Sequence, residues 1–219
     1  MQMHLGRRCI AFSIWHIHMN EIWFRTNEHE EATAALEAFA EWAEKLEGDV
    51  SYWRWIILAL HSSVQCSMVV ALRGTDGLLP LRDKVAEKWL AALKNGGNFP
   101  VEKLDSFFNL YKKVHLGEQS NLTEMQWAAL PKTLKESLAG LNSLRNRFVH
   151  FPPMKWSIEV SGLPRLCVDC LQLVEYLLLR KSADLNWRNF EYRERREHAI
   201  SLAKHRLLAV EKRYALGDM

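Results

Sequence analysis

The sequence predicts an all-α protein, and three observations carry that prediction. Apolar residues recur at the spacing of one helix face in several long stretches, as in Ala35, Leu36, Phe39, Trp42, Ala43 and Leu46. Those stretches are bounded by residues that helices use at their ends, among them Asn27, Ser51, Gly74, Pro131 and Pro164. The alternating stretch Trp156-Ser157-Ile158-Glu159-Val160 is short and has no partner of its kind, so it reads as an extended connector rather than part of a sheet.

The elements follow in order. Asn27 or Thr26 caps a first helix from Glu28 to Leu46, whose Glu30 and Glu31 lie near its positive end, and Gly48-Asp49 breaks it. Ser51 caps a second helix from Tyr52 to about Arg73, closed by Gly74. Its start (Trp53, Trp55, Ile56, Ile57, Leu58, Leu60) is apolar nearly all round, which marks a central, buried helix. After the turn at Gly74-Thr75-Asp76-Gly77, Leu81 to Leu93 makes a short helix, and Asn95 to Pro100 a loop. Val101 to His115 reads as a helix, Gly117 to Asn121 as a loop, and Thr123 with Gln126 as the start of another element. A helix from Pro131 to Val149, the connector, and a leucine-rich helix from Pro164 to Leu179 come next. Asn186 to Tyr214 forms a charged terminal helix. The domain reading is residues 1–20 as a poorly ordered or leader segment, 21–182 as a helical domain and 183–219 as the charged helix.

Composition bounds the function. A chain of 219 residues, 48% of them hydrophobic, can bury a good core. Its net charge of +3 makes it no polycation. Locally, Arg180 to Arg213 carries ten Lys/Arg against five Asp/Glu. That helix reads either as a solvated face with pairs such as Glu191–Arg195, or as a basic arm for RNA with Trp187, Phe190 and Tyr192 as stacking groups. Cys9, Cys66, Cys167 and Cys170 suit a reduced, cytoplasmic protein, and Cys167-x2-Cys170 lacks a second ligand pair, so it reads as two buried residues one turn apart. Arg54, His61 and Gln65 interrupt the stretch from Ser51 to Leu72, so no membrane span is expected. Arg7-Arg8 before Cys9 to Trp15 faintly resembles a signal peptide without a cleavage site, and Met19 is a possible alternative start. No cofactor and no metal site is expected; His16 and His18 in the leader read as inert.

The stretch Leu144-Arg145-Asn146-Arg147-Phe148-Val149-His150-Phe151-Pro152-Pro153 carries the functional signal. Leu134, Leu138, Leu141, Leu144 and Phe148 form one apolar stripe. Arg145 falls inside that stripe and Arg147 outside it. A guanidinium on a core-facing stripe is costly unless it is paired or lines a polar pocket. Phe151 precedes Pro152 and is steered from helical dihedrals, so His150 sits in a last turn whose direction tertiary contacts set. Histidine exchanges protons near neutral pH and arginine grips phosphate oxygens in a fork, a minimal kit for phosphodiester cleavage. His61 and Gln65, four apart on the second helix, read either as a register-fixing polar pair or as partners of Arg145 or His150, Gln65 as an acceptor.

Arg145-Asn146-x3-His150 resembles the R-N-x3-H signature of the HEPN superfamily, small all-helical proteins of which many are metal-independent ribonucleases, and Trp53 to Leu72 is similar to the long early helix of that fold. The resemblance covers roughly Tyr52 to Leu179. It implies a HEPN-like bundle, RNA as substrate, His150 as general acid or base, Arg145 neutralising phosphate charge, Asn146 binding a phosphate oxygen or bracing the arginine, and Arg147, Gln65 and His61 as substrate-binding or supporting residues. It also implies a homodimer with two motifs facing one cleft, and a toxin or defence role with a cognate antitoxin or regulatory partner. Where toxins of one branch carry a tyrosine just after the histidine, this chain has Phe151, Pro152 and Pro153. The rival readings are a catalytically inactive helical dimer that binds nucleotide or a partner protein, and a DNA-binding regulator, whose positive face Glu191, Glu194 and Glu197 interrupt.

Overall fold

The computed structural model describes residues 22–74, 76–116, 128–151, 153, 155–181 and 188–217. Among these residues the protein is all-α, with seven helices and no strand. The leader segment, the segment with Thr123 and Gln126, and Trp187 lie outside the described residues.

Helix α1 spans Glu28–Lys45; Asn27 caps it by accepting from the backbone N–H of His29 and of Glu30 at 2.9 and 3.1 Å. Next comes a 3-10 turn, Val50–Tyr52, and α2, Trp53–Leu72. The expected cap Ser51 is itself inside that turn. The capping side chain is Asp49, which accepts from Ser51 N and Oγ at 2.8 and 2.7 Å, because a carboxylate two residues upstream reaches both donors.

Helix α3 spans Asp83–Asn95, later than expected, and closes on Gly96 in the left-handed region at φ 69°. Leu81 instead bridges Leu104 in extended backbone, with Arg82 N donating to Lys103 O and Asp105 N to Pro80 O. That pairing also corrects the next element: α4 runs Phe107–Leu116, not from Val101. The Lys113 ammonium locks this corner, donating to Leu81 O at 2.7 Å and pairing with Asp83 and Asp105.

Helix α5, Leu134–Val149, carries the motif; Pro131 stands a turn before it rather than in it. Residues 155–160 carry no regular secondary structure, in line with a connector rather than a strand. Helix α6 spans Leu163–Glu175, with Pro164 in its first turn, and runs on as a π-helical stretch, Tyr176–Lys181. Helix α7 spans Arg188–Leu216.

One core joins these helices. Ile56, Ile57, Leu60, Val64 and Met68 of α2 are fully buried at its centre. By length and composition α2 is apolar enough to cross a membrane, despite Arg54, His61 and Gln65, and 56% of its most apolar window is buried inside the protein. The α7 helix closes the other side through Ala199, Ile200, Ala203, Leu207 and Val210, so it packs on the body rather than extending from it. Gly140 brings α5 close to α6: a methyl there would meet Leu166 Cδ1 at 2.8 Å.

The charges of α7 face α1. Arg195 forks onto Glu37 and Glu30, Arg206 reaches Ala40 O and Glu44 at 2.5 and 2.6 Å, and Lys204 pairs with Glu175. Tyr192 is buried, stacked on His29 and under the Arg196 guanidinium, so it is no platform for bases. Arg196 is fully buried, bonded to Thr33 Oγ1 and His29 O; burial pulls its guanidinium down to about 10. These contacts favour the solvated, packed helix over the basic arm.

Candidate functional site

The motif helix is fixed at its start by a buried carboxylate. Asp169 of α6 is 1% exposed, and its Oδ2 accepts from Thr133 Oγ1 at 2.6 Å and Ser137 Oγ at 2.8 Å. Cys167 and Cys170 flank it in the core, where burial pushes both thiols up from their ordinary value.

Midway, α5 is held to α2. His61 is buried and stacks on Phe107 with ring centres 4.5 Å apart. Its Nε2 stands 3.1 Å from Asn142 Oδ1, an acceptor, so Nε2–H is the donor. Burial holds this imidazole neutral, down at about 4; the Asn142 bond opposes that shift, and the nearby Arg145 charge adds to it. His61 thus reaches the motif helix one turn before Arg145, through a residue the sequence did not single out. Asn142 is a polar side chain between Leu141 and Leu144, and that interruption of the stripe was its visible signal.

The apolar stripe settles as predicted up to its end: Leu134, Leu138 and Leu141 are buried, Leu144 and Phe148 half-buried. Arg145 is half-buried beside it, and its Nη1 donates to Asn146 Oδ1 at 2.9 Å. His150 ends the helix with φ −105° and ψ 58°, its backbone N–H still bonded to Asn146 O, and its ring exposed.

Ser143, Asn146, Arg147 and His150 line an open groove of about 470 Å³. Arg147, rather than Arg145, is the cation in its wall; Asn146 belongs both to the groove and to Arg145. Gln65 is half-buried on α2, and among the described residues no hydrogen bond ties it to Arg145 or His150. Beside this groove lies a second, of about 510 Å³, between the start of α2, the end of α5 and the connector. No lining residue is common to the two, and the link between them is the Arg147 guanidinium of the first, 5.9 Å from the centre of the Trp156 ring of the second.

The groove offers a titratable ring, an amide, a hydroxyl and a guanidinium, with no carboxylate in its wall. Such a set can hold a phosphate group and move a proton at it. Comparison with family models, curated proteins and solved structures returns no significant match to this chain.

Proposed function

We propose that the protein is a metal-independent endoribonuclease of HEPN type, acting as a homodimer whose two motifs face one cleft. The observation that carries this reading is the groove at the end of α5, where His150 and Arg147 stand with Asn146, and Asn146 holds Arg145. RNA brings its own nucleophile. One His150 takes the proton of the 2′-hydroxyl as its oxygen attacks phosphorus, and the P–O5′ bond breaks. The His150 of the second subunit returns a proton to the departing 5′-oxygen, leaving a cyclic phosphate and a 5′-hydroxyl. Arg145 offsets the charge that builds on the phosphorane oxygens, and Arg147 in the groove wall holds the substrate phosphate. A two-fold interface brings both rings to one phosphate, and self-complementary dimers are the commonest kind. A toxin or defence role under control of a regulatory partner extends the same resemblance.

The test is incubation of purified protein with mixed RNA in chelator. Cleavage by the wild type and its loss in His150→Ala and Arg145→Ala, with the dimer intact, is the expected result. Unchanged cleavage in either variant ends the mechanism. A second reading, a binding module without chemistry, draws on the position of Arg145 outside the groove wall; intact RNA with measurable nucleotide binding favours it.

A further inference from the structure

The second groove has a composition that the motif does not explain. Phe148, Phe151 and Trp156 supply three aromatic rings within one patch, with Trp156 5.3 Å from Phe148 and 6.0 Å from Phe151 between ring centres. Arg54 and Lys155 stand among them, and Arg147 reaches in from the neighbouring groove. Arg54 lies 5.9 Å over the Phe148 ring. No Asp or Glu lines either groove. The carboxylates adjacent in sequence are engaged within their own turns, Asp49 at the rim by Ser51, which lines this groove, and Glu159 by the backbone N–H of Ser161. Phe151 is 53% exposed, an unusual position for a phenyl ring that follows a helix end, and the half-buried Trp156 beside it fixes where it stands.

Rings alternating with cations, and free of anions, match a chain in which flat bases alternate with phosphates. We infer that this groove binds unpaired nucleotides of single-stranded RNA next to the phosphate held at His150. The inference rests on the ribonuclease reading for the identity of that strand. A base stacks on Phe151 and Trp156, and the phosphates on either side of it meet Arg54 and Lys155. Arg147, which links the two grooves, sets the register between the stacked base and the scissile bond. Paired bases hide their faces, so the groove selects single strands over duplex.

The experiment separates binding from cleavage by using a fluorescent 2′-O-methyl oligonucleotide, which lacks the nucleophile, with anisotropy as the readout. The wild type binds the single strand more tightly than the same sequence as a duplex. Phe151→Ala weakens binding at least about fivefold. Lys155→Glu, at an exposed position in the lining, weakens it and reduces the slope of log affinity against log salt by about 1. Arg195→Ala, removing a guanidinium held by Glu37 and Glu30, keeps the affinity of the wild type within about twofold. Equal affinity for duplex, or wild-type affinity in both Phe151→Ala and Lys155→Glu, overturns the proposal. So does a Phe151→Ala variant that loses self-association but keeps oligonucleotide affinity, which assigns the groove to a second copy of this chain. Cleavage of unmodified RNA with wild-type binding in both groove variants sinks the groove alone. Binding as expected with unmodified RNA left intact sustains the groove and refutes the ribonuclease.

Discussion

His61 and Asn142 join the central helix to the motif helix by a hydrogen bond of 3.1 Å, and the imidazole in it is neutral because it is buried. The bond sets how far α5 is rotated about its axis, and so which of its side chains reach the groove. Nε2–H can donate in either protonation state; burial first, and the Arg145 charge second, disfavour the cation here.

Stability should therefore fall on acidification. The imidazole sits at about 4 in the folded chain against 6.5 ordinarily, so between those values the unfolded chain takes up a proton that the folded one refuses. The contribution is whole above the upper value and shrinks as pH drops toward the lower. Near pH 5 the loss is about 1–2 kcal/mol. Urea titrations of the wild type and His61→Gln across this range test it: the variant, with no ring to protonate beside Arg145, Asn142 and Phe107, should show a flatter dependence. Parallel curves would contradict it.

The two arginines of the motif should separate in kinetics. Arg147 lines the groove and meets substrate before and during reaction alike, so Arg147→Ala is expected mainly to raise KM. Arg145 is held by Asn146 beside the reacting groups, and Arg145→Ala is expected to lower kcat. His150→Ala should lower the rate by about a hundred- to ten-thousandfold without lowering the melting temperature, because its ring is exposed.

Asp169 is a structural carboxylate. Asp169→Ala leaves the buried Ser137 hydroxyl without its acceptor, while the exposed Thr133 can turn to water, and should cost about 1–3 kcal/mol in chemical denaturation. Asp169→Asn keeps a carbonyl oxygen for both and should cost clearly less. An equal loss in the two variants would show that the space, not the acceptor, matters.

Arginines of α7 should be silent toward RNA. Arg195→Ala removes a solvent-exposed fork and is expected to cost no more than about 1 kcal/mol, less at high salt. Arg206→Ala removes its bonds to Ala40 O, which keeps its helical partner, and to Glu44, and should cost about 1 kcal/mol. Oligonucleotide affinity that drops in these variants, rather than holding, would revive the basic arm.

Helix identity was legible because apolar spacing and end residues repeat the same message, as at Asn27, Gly74 and Pro164. Boundaries were less so. Asp49 and Ser51 both make good caps, and only the backbone shows which one turns inward. Leu104 fits a helical face as well as a bridge to Leu81, and the choice depends on a partner more than twenty residues away. In the site, the stripe and its terminal His150 were readable, and so was Asn146 as a brace for Arg145. The pairings that hold the helix, His61 to Asn142 and Asp169 to Thr133, cross 81 and 36 positions and leave no local trace. Arg196 was hidden among similar charges; the turn that carries Ala199 and Ala203 inward carries it too.

The lashing of α1 to α7 has a consequence for synthesis. Thr33 waits 163 positions for Arg196, Ala40 waits 166 for Arg206, and Trp53 waits 161 for Tyr214. During translation α1 therefore lacks its closing neighbour until α7 has been made, and the apolar side that α7 covers is open to chaperones in the interval. The contacts that join α1 to α7 are far apart in sequence, and such distant meetings slow folding.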